Sequence, residues 1–284
     1  MSVRNLITLF VLTLALCAAG QWEKSLEAGA LVTTNNYSDN WEGGEAGSFN
    51  WTLSLSAMAQ KPLTDWLHNQ TTLKLAFGQS QTQDAESHEW SGPTKSDDLI
   101  DLESVFRFTL GGFVDPYASL RGESQFYDRR VAGNYRYFNP VMISEGAGVS
   151  RVFIKKEKRE LTARLGASFR QEIDRDVMVG DEHETQTTND GGAELIGQFR
   201  TPLAGDRISY RSRLGLYRAF FNSESEDLDN DHWKVVDVDW EHRFTANITE
   251  YIMVNLDLEI LYDREIDPSA RHKEIISLGI TYKL

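Results

Sequence analysis

Between Ile252 and Tyr262 every second residue is apolar, and this two-residue period constrains the fold more than any other feature of the sequence. Ile252, Val254, Leu256, Leu258, Ile260 and Tyr262 share one face of an extended chain, while Met253, Asn255, Asp257 and Glu259 share the other. Successive side chains of a strand point to opposite faces, so the pattern describes a strand with one apolar and one polar surface. The pattern recurs upstream. Val236, Val238 and Trp240 alternate with Asp237, Asp239, Glu241 and Arg243, and Ile100, Leu102, Phe106, Phe108 and Leu110 alternate with Asp101, Glu103 and Arg107.

Extended over the chain, this periodicity predicts strands near 25–36, 48–60, 66–80, 98–111, 116–128, 140–154, 159–173, 187–201, 207–221, 232–245, 250–263 and 272–284. About twelve strands is an even number, as single-chain bacterial barrels have. The weakest is 140–154, where Glu145 and Arg151 share a parity with Ile143, Val149 and Phe153, which suggests a bulge.

Connection lengths supply a second signal. Short links at 61–65, 112–115, 155–158, 202–206 and 246–249 alternate with long ones centred on 40–47, 81–97, 128–139, 174–185, 222–231 and 264–270. Outer-membrane barrels alternate short periplasmic turns with long external loops in this way. Aromatic residues fall into two sets. Trp66, Tyr117, Tyr210, Phe244, Tyr251 and Tyr282 lie near the short-turn end; Phe49, Phe126, Phe220, Trp233 and Tyr262 lie near the long-loop end. Two aromatic girdles around an apolar band are expected where strands meet headgroups. The fold class expected is therefore all-β: a transmembrane antiparallel barrel of about twelve strands.

The start of the chain agrees with export. Arg4 precedes an apolar run from Leu6 to Leu16, and Ala18-Ala19-Gly20 provides small residues for cleavage before Gln21. This predicts a signal peptide over 1–20 and a barrel domain over 21–284, placed in the cell outer membrane. Cys17 follows Leu16, where a lipid-attachment motif has a small residue, so lipidation is disfavoured. Cleavage after Gly20 leaves no Cys, which excludes a disulfide framework and a thiol nucleophile. The net charge of −14 argues against a nucleic-acid partner. The final strand alternates Ile276, Leu278, Ile280, Tyr282 and Leu284 with Ser277, Gly279, Thr281 and Lys283. An amphipathic last strand is expected to engage the barrel-assembly machinery, although that signal usually ends in an aromatic residue and here ends in Leu284.

Four stretches together resemble an uncharacterised family of outer-membrane barrels, domain of unknown function 3078. They are Asn40-Trp41-Glu42-Gly43-Gly44-Glu45, Lys95-Ser96-Asp97-Asp98 with Ile100-Asp101, Asp237-Val238-Asp239-Trp240-Glu241, and Leu278-Gly279-Ile280-Thr281-Tyr282-Lys283-Leu284. The resemblance implies the architecture and location just described and brings no activity with it.

Polar faces opposite the apolar ones nominate residues that line the lumen. These are Lys74 on the third expected strand, Asp101, Glu103 and Arg107 on the fourth, and Arg121 and Glu123 on the fifth. Later strands add Arg164 and Arg170, Glu194 and Arg200, Arg211 and Arg213, then Asp237, Asp239, Glu241 and Arg243, and finally Asp257 and Glu259. Two readings stay open. The charges neutralise one another and plug the tube, because unpaired buried charge is costly, or acidic and basic walls face a narrow wet channel.

Two loops draw notice. Asn40, Trp41, Gly43 and Gly44 form either an external ligand contact or a loop folded into the barrel mouth. The acidic run from Glu224 to Asp231 lacks the Gly and distal Glu of a calcium loop and reads as a solvated external loop. No cofactor, metal site or catalytic residue is expected: His68, His88, His183, His232, His242 and His272 form no metal-binding spacing, and no nucleophile elbow occurs. The expected function is a narrow porin or transporter-like channel for a small solute, or a structural surface protein. The alternatives are an outer-membrane lipid hydrolase and a soluble periplasmic β-protein.

Overall fold

The structure is a computed structural model that describes residues 22–36, 46–84, 86–129, 135–179, 182–205, 207–226, 228–249 and 252–282. The expected signal peptide with Cys17, the Asn40-Trp41-Gly43-Gly44 loop, Tyr251 and the terminal Lys283-Leu284 lie outside the described residues.

The first part of the barrel comprises β1 (Glu23–Asn35), β2 (Ser48–Pro62), β3 (Leu67–Thr82), β4 (Thr94–Phe108) and β5 (Asp115–Ser124). A small hairpin of β6 (Tyr127–Asp128) and β7 (Arg136–Tyr137) follows. The barrel resumes with β8 (Val141–Lys156), β9 (Arg159–Val179), β10 (Glu182–Leu203), β11 (Ile208–Asn222), β12 (Asp237–Asn247), β13 (Ile252–Tyr262) and β14 (Arg271–Tyr282). Twelve of these strands close into one antiparallel barrel in which chain neighbours are spatial neighbours and β1 meets β14; β6 and β7 pair only with each other.

Closure solves two problems at once. It gives every strand a partner on both sides, so that little sheet edge is left free, and it separates the two faces produced by the two-residue period. The outer face carries Leu53, Leu73, Leu165, Leu195, Leu256 and Leu278, of which Leu165 is 57% exposed and Leu278 54%. The inner face carries the charges. The apolar surface thus lies outside and the polar surface inside, the reverse of a water-soluble domain.

The structure departs from the sequence-based expectation in five places, each for an identifiable reason. First, the long link expected at 174–185 is mostly strand: β9 and β10 continue to Val179 and Glu182 as a projecting hairpin, sustained by backbone pairing despite its polar sequence. Second, β5 ends at Ser124 rather than 128, because Asp98 captures the backbone N–H groups of Phe126 at 2.5 Å and Tyr127 at 3.2 Å and turns the chain away. Third, the segment 232–236 begins as a 3-10 turn (His232–Lys234). Fourth, the bulge on β8 falls between Val152 and Ile154, too late to rotate Glu145, which stays on the outer face beside Leu120 and Phe169.

Fifth, two aromatic residues assigned to the girdles point inward. Tyr117 is 3% exposed and Trp233 is 8% exposed, the latter packed on Tyr217 and Ala219 in the long-loop mouth. Of the nominated girdle residues, Trp66 stacks on Phe108 at 6.0 Å and Tyr210 meets Phe244 at 4.7 Å on the outer face near the short turns, and Phe126 meets Phe77 at 5.7 Å near the long loops. The remaining outer clusters at the long-loop end, Trp51 with Phe77 at 5.6 Å and Phe169 with Phe221 at 6.0 Å, are formed by residues that the sequence did not nominate.

Candidate functional site

Strand parity places all the nominated charged residues on the inner face, where ion pairs join strands that are far apart around the ring. Lys74 on β3 donates to Glu241 on β12 at 2.5 Å. Those strands are separated by β2, β1, β14 and β13, so the pair crosses the lumen between nearly opposite walls. Glu241 is also 3.7 Å from Arg213, which binds Asp239 at 2.8 Å. On the other side Lys74 lies 4.0 Å from Asp101, which takes both nitrogens of Arg121 at 2.9 and 3.1 Å; Arg121 also reaches Glu123 at 2.9 Å. Arg164 on β9 donates to Glu103 on β4 at 2.6 Å. This layer is continuous from wall to wall.

A second set of ion pairs lies nearer the short turns and is more exposed, Arg211 to 41%. Glu27 on β1 accepts Arg211 at 2.8 Å and lies 3.6 Å from Arg243, which binds Asp257 at 2.5 Å. Around it, Arg200 reaches Glu160 at 3.2 Å and Arg107 lies 3.8 Å from Asp115. Met253, 1% exposed, and the Thr245–Asn255 hydrogen bond of 2.7 Å fill the remaining space. The buried charges of the first layer are tolerable because nearly every one has an opposite partner.

Above the first layer, toward the long loops, the packing stops. A cavity of about 210 Å³ lies there, with Glu103, Arg121 and Arg213 on its floor and Arg170, Tyr217, Asp237, Asp263 and Arg271 toward the mouth. Arg170 lies 3.3 Å from the centre of the Tyr217 ring and 3.5 Å from Asp237, and the Tyr217 hydroxyl donates to Asp190. The mouth is acidic. In the loop beyond β13, burial and the neighbouring carboxylates of Asp263 and Asp190 raise the Glu265 carboxyl above its ordinary value.

One wall of the lumen is thinned so that an aromatic side chain can fit. Gly148 and Gly166 are directly paired on β8 and β9, with Tyr117 opposite Gly148 on β5. A Cβ on Gly166 would sit 2.6 Å from the Tyr117 hydroxyl, and one on Gly146 would sit 2.5 Å from Ser119 Oγ. Tyr117 uses this space to donate to Glu194 at 2.9 Å.

Of the nominated residues, Glu259 stands opposite Lys273 in the β13–β14 register, and every other one takes part in a pair described above. Arg213 meets Asp239 and Glu241 on the adjacent β12, whereas Arg211 stands opposite Arg243 there and crosses to Glu27 instead. Sequence reasoning overlooked Glu27, Asp97, Asp115, Tyr117, Glu160 and Lys273. Glu27 lies among Ala28, Gly29 and Ala30, where weak apolar contrast hides the period. Lys273, which binds Asp97 at 2.7 Å, was legible from parity with Ser277.

The stretch Lys95 to Asp98 acts at the end of the barrel. Lys95 binds Asp98 at 3.0 Å, Gln125 at 2.6 Å and the Tyr127 carbonyl at 2.7 Å, pinning the loop after β5. The acidic loop is held by its own neighbours: Thr188 donates to Glu224 at 2.8 Å and Lys234 to Asp231 at 2.6 Å. Among the described residues no group of three or more His, Cys, Asp or Glu side chains is placed to hold a metal ion. His242 lies on the outer face, bonded through Nδ1 to Tyr210 at 2.7 Å.

Comparison with solved structures finds similar barrels at low identity. An outer membrane channel from Pseudomonas putida F1 is 16% identical over 91% of this chain and 93% of its own, with a TM-score of 0.46. The NanC porin is 9% identical over 92% of this chain and 100% of its own, with a TM-score of 0.39. The translocator domain of the autotransporter NalP from Neisseria meningitidis is 12% identical over 98% and 95%, with a TM-score of 0.35. No curated protein matches the sequence. Residues 32–129, from within β1 to just beyond β6, match the family described as Protein of unknown function (DUF3078), the family that the sequence motifs resemble.

Proposed function

We propose that this chain is an outer-membrane β-barrel that serves as a narrow conduit, its lumen constricted by ion pairs rather than left open. Three features support residence in a membrane. The outer face is apolar across the strands, aromatic residues cluster near both ends of it, and the turns at one end are short while most loops at the other are long. A closed barrel is also one of the two backbone arrangements that leave no unpaired peptide group facing lipid. The expected export signal and recognition of the last strand by the assembly machinery accord with this reading.

The observation that carries the constriction is the Lys74–Glu241 pair of 2.5 Å between nearly opposite walls. Paired charges of this kind oppose free flow of water and ions yet are more readily rearranged than an apolar core. The acidic mouth favours a small cationic solute over an anionic one. The proposal is for a conduit and assigns no catalytic residue.

Single-channel recording in planar bilayers tests the reading. The unaltered protein gives small or infrequent conductance steps, and Lys74→Ala with Glu241→Ala gives steps several-fold larger. Large steps from the unaltered protein would overturn the constriction. Silence from both proteins would overturn the conduit and leave a structural surface barrel.

A further inference from the structure

The seam at which the barrel closes is paired over only part of its length. β1 pairs with β2 through thirteen residues, from Glu23 to Asn35, but with β14 through five, from Leu26–Tyr282 to Ala30–Leu278. Among the described residues, Leu31 to Asn35 and Arg271 to Ser277 have no ladder partner across the seam, although β13 holds the other edge of Arg271 to Asn255's partner Ser277. The unpaired portion lies at the long-loop end, level with the cavity, and Arg271 on its edge lines that cavity.

Apolar side chains flank the gap on its outer side. Val32 and Ile276 point outward on its two sides and are 63% and 55% exposed. Thr33 points inward by strand parity but is also exposed, as expected where the wall has parted. Behind the gap, Lys273 on β14 binds Asp97 on β4 at 2.7 Å, reaching past β1, β2 and β3. This ion pair ties the free edge of β14 to the far wall where backbone pairing to β1 is missing.

We propose that the upper half of the β1–β14 seam is a lateral opening between the cavity and the outer leaflet, able to admit the acyl chain of a lipid, with Lys273–Asp97 as its latch. Peptide groups cannot be left bare in hydrocarbon, so an unpaired edge within the bilayer must find hydrogen-bond partners or be able to close; an amphiphile whose ester and headgroup oxygens reach the gap supplies acceptors for the edge N–H groups and places its polar end toward the charged cavity. The inference rests on the membrane reading above. It adds a second route, sideways into lipid, to the route along the barrel axis.

Site-specific photocrosslinking distinguishes the two readings. Benzoylphenylalanine replaces Thr33 at the seam, Gln198 on the inner face outside the cavity, or Leu256 on the outer face, and each protein is reconstituted in phosphatidylethanolamine–phosphatidylglycerol vesicles. Mass spectrometry then measures captured phospholipid. The expected result is capture at Leu256 and at Thr33, the latter several-fold above Gln198. Lys273→Ala increases capture at Thr33, and an oxidised Val32→Cys/Ile276→Cys pair, which closes the seam, reduces it to the Gln198 level. Capture at Leu256 with Thr33 no better than Gln198 overturns the lateral opening alone. Absence of capture at Leu256 overturns the membrane reading and this inference with it.

Discussion

Arg164 on β9 and Glu103 on β4 meet at 2.6 Å inside the barrel, although β8 and β5 lie between their strands. Their side chains are 5% and 14% exposed, so each charge depends on the other for most of its solvation. Arg164→Met or Glu103→Gln alone is therefore expected to destabilise the barrel by about 3–5 kcal/mol, because one buried charge is stranded. The double variant should lose much less than the sum. Urea unfolding from lipid vesicles, followed by tryptophan fluorescence, measures all three, and simple additivity would show that the pair is not energetically coupled.

Glycine at position 166 is required by its neighbour rather than by its backbone angle. Gly166→Ala places a methyl group too close to the Ala147 carbonyl oxygen on the paired strand and 2.6 Å from the Tyr117 hydroxyl. The expected destabilisation is about 1–3 kcal/mol, and Tyr117→Phe in the same chain should recover part of it by removing the clashing oxygen. Thermal unfolding on a heat-modifiable gel gives the comparison; equal loss in both proteins would place the clash elsewhere.

The two faces of a strand should respond differently to polarity. Leu256→Arg puts a charge on the outer face and is expected to cost ~2–4 kcal/mol of insertion free energy near the midplane. Ser144→Gln enlarges a residue that faces the cavity and should shift stability by less than about 1 kcal/mol. Yield of folded protein in outer-membrane fractions reads both, and equal yields would contradict the assigned faces. Asn255 is a poorer control, because it is 5% exposed and bonded to Thr245.

Charge at the mouth should decide ion preference. Asp263 lines the cavity entrance and Glu265 lies beside it. Reversal potentials in a potassium chloride gradient are expected to show preference for the cation, reduced in the Asp263→Asn/Glu265→Gln double variant. A preference for chloride in the unaltered protein would show that Arg121 and Arg213 at the constriction dominate instead.

Asp98 organises the loop after β5 through two backbone N–H groups and Lys95, with its side chain 2% exposed. Asp98→Asn retains the shape but loses the charge and is expected to cost about 1–3 kcal/mol of local stability. Limited proteolysis should then cut between residues 125 and 140 sooner than in the unaltered protein, while the barrel strands remain intact.

The twelve strands and their two faces were legible in the chain because a two-residue period leaves its mark on each strand separately, as Ile252 to Tyr262 shows. Connection lengths gave the direction of the loops for the same local reason, except at 174–185, where backbone pairing extended a hairpin through polar residues that carry no period. Which charge meets which was not local. Lys74 and Glu241 are 167 residues apart, and Arg211 crosses to Glu27 instead of meeting a neighbour on β12. Those pairings follow from the closure and register of the whole ring, as do the inward turn of Trp233 and the partly unpaired seam between β1 and β14. That charges would line an enclosed face is written in the local alternation of each strand; that they would cross it is not, because crossing depends on the lumen's width and on how far each strand is staggered against the next.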